Sequence, residues 1–169
     1  MTKAILTQCR LKEFLRYDEK TGLFTRIKLC KFSNKKTVIG ELVKTRANLG
    51  YLRLCLNGNE YLVHRLVWLY IHGAWPKDQI DHINGIRDDN RIANLRECTM
   101  SQNMQNLRSP FPTNSTGYQG VAFCNTKKRF RTNIRINGKR IHIGYFKTAL
   151  EASEAYLREK RKLHEFCTI

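Results

Sequence analysis

The sequence contains few acidic residues and lacks several patterns that define other classes of protein. Only 14 of its 169 residues are Asp or Glu, and its six cysteines include no C-x-x-C pair, so free thiols are expected in place of a zinc knuckle. No apolar run approaches the ~20 residues of a membrane helix, no signal peptide is recognisable, and no repeat recurs at solenoid spacing. We therefore expect no membrane role and a reducing cytoplasm, where disulfides are rare.

Basic residues dominate the charge of the chain. Lys and Arg number 31, which gives a net charge of +17, and they are spread along the whole length. Such an excess predicts a broad surface for a polyanion, whose affinity falls steeply as salt rises. Ribosomal proteins share this charge, so charge alone does not choose DNA as the partner.

The stretch between Ile80 and Asn106 carries the most chemical information. Asp81 and His82 follow one another at the end of an apparent strand, where adjacent side chains point to opposite sides of the backbone. Asp81 is therefore placed to bind a divalent metal ion while His82 faces a scissile phosphate. A neutral imidazole with an ordinary pKa near ~6.5 can accept a proton from water, so His82 is the predicted general base.

Two asparagines complete this constellation. Asn103 lies 22 positions after Asp81, in a polar run that predicts a helix and can return an amide oxygen to the metal. Asn94 precedes a leucine that we expect to be buried, and its amide is suited to bonding the backbone around the base. We expect Asn94 to be structural.

Together, Asp81-His82, Asp89-Asn90-Arg91, Asn94-Leu95-Arg96 and Asn103 resemble an HNH endonuclease of the phage and intron-homing type, with Asn103 in place of the last His of the name. The resemblance implies that Asp81 and Asn103 hold one divalent ion, Mg²⁺ or Mn²⁺, that His82 is the base and that Asn94 braces the active-site loop. It also implies a phage or bacterial host cell as the setting.

The lead-in to this motif, Tyr61 to Tyr70, changes from strand-like to helical periodicity near His64. His64 has two open interpretations, a second active-site imidazole or a histidine that bonds nearby backbone. Arg65 is a candidate phosphate ligand. Gly73 to Pro76 should end the helix, with Trp75 filling the local core.

The C-terminal third has its own organisation after a linker at 109–117. Strands are predicted at 118–123, 129–136 and 139–146, and Asn137-Gly138 favours a hairpin turn between the last two. A helix should follow from Thr148, which forms a capping box with Glu151. Its apolar side is predicted to comprise Ala149, Ala152, Ala155, Tyr156 and Leu163.

One face of this sheet should pack on the helix and the other should read DNA, because Arg and Asn bond guanine and adenine edges. This segment resembles an APETALA2-type domain, which by matching position implicates a set of polar side chains. Gln119, Asn133 and His142 depart from the Arg, Glu and Trp usual in plant members, so base preference does not transfer. The predicted DNA-binding residues of the sheet are Gln119, Arg129, Arg131, Asn133, Arg135, Arg140 and His142.

The sequence thus predicts an α+β protein that joins an HNH ββα-metal module to a three-stranded antiparallel sheet packed on one helix. The predicted boundaries are 1–60 for a helix and β-hairpin region of the nuclease module, 61–108 for its core, 109–117 for the linker and 118–169 for the DNA-binding domain. The first region includes a helix near Leu11 to Tyr17 and a hairpin arm at 48–59.

The predicted activity is metal-dependent cleavage of double-stranded DNA by a monomer, which nicks one strand and leaves 5′-phosphate and 3′-hydroxyl ends. One alternative is a DNA-binding regulator whose nuclease module is inactive. Another is a basic RNA-binding accessory protein, although the sequence lacks the aromatic platform typical of single-stranded RNA recognition.

Overall fold

A computed structural model describes residues 6–30 and 38–169. The chain forms two compact units, one up to Thr99 and one from Met100 to Ile169. The first holds helix α1 (Gln8–Phe14), strands β1 (Leu15–Asp18), β2 (Leu23–Arg26), β3 (Arg53–Leu56) and β4 (Asn59–Leu62), helix α2 (Val63–His72), and strands β5 (Gln79–His82) and β6 (Leu95–Cys98). The second holds helix α3 (Met100–Gln105), strands β7 (Val121–Cys124), β8 (Arg129–Ile136) and β9 (Lys139–Phe146), and helix α4 (Ala149–Leu163).

Three antiparallel hairpins, β1-β2, β3-β4 and β5-β6, form the first unit with its two helices. Helix α2 buries the apolar stripe Val63, Leu66, Val67 and Leu69, and ends at Gly73, whose left-handed conformation lets its N–H bond the carbonyl of Leu69. The hydrophobic core collects apolar side chains from all three hairpins and both helices. The β5-β6 hairpin therefore packs on this hydrophobic core.

The N-terminal helix lies three residues earlier in the chain than its sequence pattern suggests. The segment Leu11 to Tyr17 was expected to be helical throughout, but α1 ends at Phe14 and β1 begins at Leu15. The correction has a tertiary cause, since Leu15 and Tyr17 alternate as buried residues of a strand paired with β2. The hairpin arm predicted at 48–59 likewise begins later, at Arg53, and runs on to Leu62.

The second unit has a three-stranded antiparallel sheet in the order β7-β8-β9, packed against α4. The predicted strands at 129–136 and 139–146 have the observed bounds, and Asn137 and Gly138 both take positive φ in the turn between them. Thr148 and Glu151 form the predicted capping box. The first strand starts at Val121, three residues after Tyr118, the predicted start.

The apolar side of α4 differs from the prediction at its C-terminal end. Ala152 and Tyr156 are buried, but Leu163 is 42% exposed. Lys160 is buried in its place, where its Nζ donates to the carbonyl of Leu107 at 2.6 Å and to Oε1 of Gln119 at 3.1 Å. A long aliphatic stem with a hydrogen-bonded tip thus replaces the leucine that periodicity favours.

Candidate functional site

Strands β5 and β6 place Asp81 and His82 side by side at the end of a hairpin. The register sets Asp81 opposite Arg96 and His82 opposite Leu95. Oδ2 of Asp81 accepts from Nε and Nη2 of Arg96 at 2.9 and 2.8 Å, and both Asp81 and His82 are buried. Because Asp81 and Arg96 carry opposite charges and face each other across the hairpin, their ion pair stabilises the hairpin and fixes the Asp81 carboxylate.

A hydrogen bond to Asn90 helps to orient the ring of His82. Nε2 of His82 lies 3.1 Å from Oδ1 of Asn90, whose Nδ2 donates to the carbonyl of Asp88. The amide oxygen of Asn90 is therefore the atom facing the imidazole, which assigns the proton of neutral His82 to Nε2 and the lone pair to Nδ1. Burial lowers the pKa of His82, opposed by Asn90 and Asp81, so the ring is neutral at physiological pH.

The loop between the strands is held by Asn94. Its Oδ1 accepts from the backbone N–H of Asn84 at 2.9 Å, and its Nδ2 donates to the carbonyl of Asp89 at 2.8 Å. Nδ2 of Asn84 bonds the Asp89 carboxylate in turn. The bonds from Arg91 and Asn84 lower the pKa of Asp89 to about 2, so it stays ionised. Asn94 is thus a backbone brace on both sides of the loop.

The first hairpin, β1-β2, lies far from this loop in the sequence but contacts it directly. The hydroxyl of Tyr17 donates to the carbonyl of Asn90 at 2.9 Å and accepts from the N–H of Ile92 at 3.0 Å. Burial raises the pKa of Tyr17 to about 12, so it remains a donor. Gly22 approaches so closely that a Cβ there would lie 2.6 Å from the carbonyl carbon of Asn90 and would overlap the backbone nitrogen of Arg91.

Two rings, those of His64 and Tyr51, lie beside His82. The ring of His64 stands edge-on to that of His82, with centroids 5.2 Å apart, and Tyr51 lies 5.3 Å from His64 and 5.8 Å from His82. Burial lowers the pKa of His64 to about 3. Its Nδ1 is buried and has no hydrogen-bond partner among the described residues. The structure thus brings the second histidine to the first, and within residues 6–30 and 38–169 no backbone group bonds its Nδ1.

Arg65 is engaged within its own unit. Its guanidinium donates to the carbonyls of Asp78 at 3.0 Å and Pro76 at 3.3 Å, which ties α2 to the segment leading into β5. This geometry is that of a brace, and contact with phosphate stays a prediction. Trp75 is partly buried against the core, and its Nε1 donates to the carbonyl of Leu6 at 3.0 Å.

In the second unit, the face of the sheet opposite α4 carries the predicted polar set. Thr132 and Ile134 are buried, whereas Arg129 and Arg135 are exposed on the other side of the same strand. Asn133 pairs with His142 across the sheet, and their side chains lie 3.1 Å apart. The members on this face are Arg129, Arg131, Asn133, Arg135, Arg140 and His142.

Gln119 is held by internal bonds. Its Nε2 donates to the carbonyl of Leu107 at 3.0 Å and its Oε1 accepts from the buried Lys160. The amide therefore ties the segment before β7 to Leu107 through Nε2 and to α4 through Oε1. Contact between Gln119 and DNA stays a prediction.

A divalent ion matches the chemistry of the predicted ligands, because Mg²⁺ prefers carboxylate and amide oxygens. Asp81 offers such a carboxylate, although Arg96 already bonds Oδ2, so an ion would bind through Oδ1 or displace the guanidinium. Asn103 lies half-buried in α3, within the second unit, and its sharing of an ion with Asp81 stays a prediction. Across residues 6–30 and 38–169, no group of three His, Cys, Asp or Glu side chains forms a metal cluster.

Sequence reasoning missed Asn90, Tyr17 and Arg96 as parts of this site. Asn90 stands in the quoted motif without a role of its own, yet its position eight residues after the predicted base was the available signal for a loop that folds back. Arg96 stands in the quoted motif and needed only the hairpin register. Tyr17 gave no signal, because it reaches the loop across 73 residues of chain.

Comparison with known proteins places part of the chain in a known family. Residues 61–105 match the HNH endonuclease family, so an HNH endonuclease family domain covers α2, β5 and β6. The chain is also similar to Protein 3.8 of Escherichia phage T7, at 29% identity over 102 residues that cover 60% of this chain and 83% of that protein. No solved structure matches it.

The family match ends at residue 105, so the APETALA2 resemblance of the second unit stays a prediction. The six cysteines are free thiols, as expected. Within the part of the chain that the structure describes, no helix is both long and apolar enough to cross a membrane.

Proposed function

We propose that this protein is a metal-dependent DNA endonuclease that nicks one strand of a duplex, with His82 as general base. One observation supports this most directly: a buried, neutral imidazole whose Nε2–H is fixed by Asn90 and which follows a carboxylate in sequence. The HNH endonuclease family domain at 61–105 supports the same reaction class.

The chemistry follows from the tautomer. Nδ1 of His82 accepts a proton from water as the water oxygen attacks phosphorus in line with the departing 3′ oxygen. The P–O3′ bond breaks, the 3′ oxygen leaves as a hydroxyl after protonation by solvent, and the phosphate stays on the 5′ end. Nε2–H keeps its bond to Asn90 throughout, so the imidazolium formed at Nδ1 is stabilised where it stands.

Asp81 is the carboxylate that we propose as a ligand of the ion, with Asn103 as the second predicted ligand. A bound Mg²⁺ or Mn²⁺ would supply positive charge to the phosphate oxygens in the transition state. Arg96 has a separate task, because its two bonds hold the Asp81 carboxylate in one orientation.

DNA binding is proposed for the basic face of the second unit. Arg129, Arg131 and Arg135 alternate along β8, with Arg140 opposite Arg135. Arginine suits phosphate and guanine because its planar fork bonds either one bidentately. One catalytic histidine per chain supports nicking by a monomer.

The test is a supercoiled-plasmid assay with Mg²⁺, Mn²⁺ or chelator, run with wild type, His82→Ala and His72→Ala. His72 is exposed at the end of α2, so its replacement removes a histidine away from the site. We expect open circles in metal, none in chelator, and a loss of about 10²–10⁴-fold in His82→Ala with duplex affinity retained.

Other products would change the proposal in defined ways. Linear DNA without an open-circular intermediate would indicate paired active sites instead of a monomeric nickase. Tight duplex binding without cleavage in either metal would overturn the nuclease activity and favour a DNA-binding regulator.

A further inference from the structure

The second unit contains a cavity of about 450 Å³ beside an uncovered edge of its sheet. Strand β7 pairs with β8 only from Arg129 to Thr132, whereas β9 continues alongside β8 as far as Ile136. The edge of β8 after Thr132 therefore has no partner strand on the β7 side. Residues of the segment before β7 lie in part of the space beside that edge. The cavity has a size typical of small-molecule sites, which span roughly 300–1,000 Å³.

Three arginines, Arg131, Arg135 and Arg140, line one side of it. Arg135 and Arg140 are direct cross-strand partners, an arrangement that brings like charges together and destabilises the sheet. Among the described residues none of the three has a carboxylate partner or a side-chain hydrogen bond, and the Nε of Arg131 is buried without an acceptor. A buried donor without an acceptor destabilises the fold, so an anion that bonds the Nε of Arg131 would relieve this loss.

Several arginines of the first unit pair with carboxylates. Arg46, Arg91 and Arg96 each bond an aspartate at 2.6 to 2.8 Å. No Asp or Glu lines the cavity of the second unit. The cavity therefore collects three arginine side chains with no carboxylate in its lining to pair with them.

The cavity also has apolar lining residues. Leu107, Phe111 and Ile134 contribute to it, and Phe111 is 56% exposed, so its ring is accessible to a ligand. A flat aromatic ligand can lie on such a wall while an attached anion reaches the guanidiniums.

We propose that this cavity binds one nucleoside monophosphate unit, with its phosphate on Arg131, Arg135 and Arg140 and its base against Leu107 and Phe111. The unit comes either from a free nucleotide or from an unpaired nucleotide of a DNA strand. The site goes beyond the contact with duplex DNA proposed for this face, and it does not depend on cleavage by His82.

The experiment follows the arginine Nε–Hε signals of the full-length ¹⁵N-labelled protein by NMR. Three probes are titrated: 2′-deoxyadenosine 5′-monophosphate, inorganic phosphate and deoxyadenosine. We expect saturable shifts of the Arg131 signal with the nucleotide, binding of phosphate at least about 5-fold weaker, and no shift with the nucleoside.

Variants separate the charged and apolar parts of the site. Arg140→Gln should weaken nucleotide binding at least about 10-fold, whereas Arg158→Gln, an equal charge change on the exposed side of α4, should alter it less than about 2-fold. Phe111→Ala should weaken binding of the nucleotide about 3-fold or more and leave that of phosphate unchanged.

Two duplexes identify the source of the nucleotide. Saturation of the Arg131 signal by a duplex with an unpaired 5′-phosphorylated end, but not by a blunt duplex, would assign the cavity to DNA strands, and binding of the free nucleotide alone would assign it to a small molecule. Equal losses in Arg140→Gln and Arg158→Gln would overturn the proposal in favour of general charge attraction. So would a response to blunt duplex with none to the nucleotide.

Discussion

The side-chain amide of Asn90 accepts a hydrogen bond from the ring of His82 and so helps to orient it. We expect Asn90→Ala to lower the cleavage rate at least about 10-fold with duplex affinity unchanged, because the buried Nε2–H then loses its acceptor and the ring its preferred tautomer. Asn90→Asp keeps an acceptor and should retain more activity. Imidazole ¹⁵N shifts of His82 report the tautomer directly, and an unchanged tautomer in Asn90→Ala would show that Asn90 does not set it.

The lowered pKa of His64 predicts how the stability of the folded protein depends on pH. Its pKa in the folded protein is about 3, below the ordinary value of 6.5, so the unfolded chain binds more protons between these values. Stability contributed by neutral His64 is therefore complete above pH 6.5 and falls as pH drops, by at most about 1.4 kcal/mol per pH unit.

His64→Leu removes this loss. In urea unfolding between pH 7.5 and 5, the free energy of unfolding of the variant should rise relative to that of wild type as the pH falls. Parallel curves for the two proteins would mean that His64 finds a hydrogen-bond partner or solvent in solution. A more stable variant that cleaves poorly would mark His64 as a residue kept for function at the expense of stability.

At the scale of elements, the β1-β2 hairpin supports the loop that holds Asn90, and Gly22 is where the two touch. Gly22 has a φ of +72° and backbone neighbours where a Cβ would stand, whereas Gly40 has a φ of +88° and open space. Gly40→Ala should cost about 1 kcal/mol, since only left-handed strain is added. Gly22→Ala should lower the free energy of unfolding by about 2 kcal/mol more, and cleavage with it.

Thermal unfolding and plasmid nicking of the two glycine variants check this prediction together. Equal loss of stability in both would show that the hairpin moves aside at little cost. Full cleavage by a destabilised Gly22→Ala protein would show that the loop keeps its geometry without that support.

The same elements show how far the sequence could predict the fold. The β8-β9 hairpin and the start of α4 follow from local signals: strict alternation, an Asn-Gly turn and a capping box. The end of α1 does not, because Leu15 and Tyr17 are equally good on a helix and are fixed as a strand only by pairing with β2. Spacing predicted Asp81 and His82 as site residues. The orientation of Asp81 depends on Arg96, and the loop that carries Asn90 to His82 is bonded by Tyr17, a long-range contact that no local pattern encodes.

Over the whole molecule, a net charge of +17 favours binding of any polyanion. A specific DNA-binding face requires in addition that particular arginines contact the phosphates. Arg129 is exposed on the sheet face opposite α4, and Arg158 is exposed on α4 itself. If the sheet face contacts phosphates, each lost contact lowers the slope of log affinity against log salt by about 0.9.

We therefore expect Arg129→Gln to reduce the salt slope for duplex binding by about 0.9, Arg158→Gln to leave it nearly unchanged, and His82→Ala to keep the wild-type slope. Fluorescence anisotropy with one labelled duplex at several NaCl concentrations measures all three, provided that chelator prevents cleavage. Equal slopes for Arg129→Gln and Arg158→Gln would mean that DNA is attracted by the charge of the whole surface, and the sheet would then lose its proposed role as the binding face. A reduced slope in Arg129→Gln alone would separate the two proposed tasks, because binding would depend on the second unit while cleavage depended on His82 in the first.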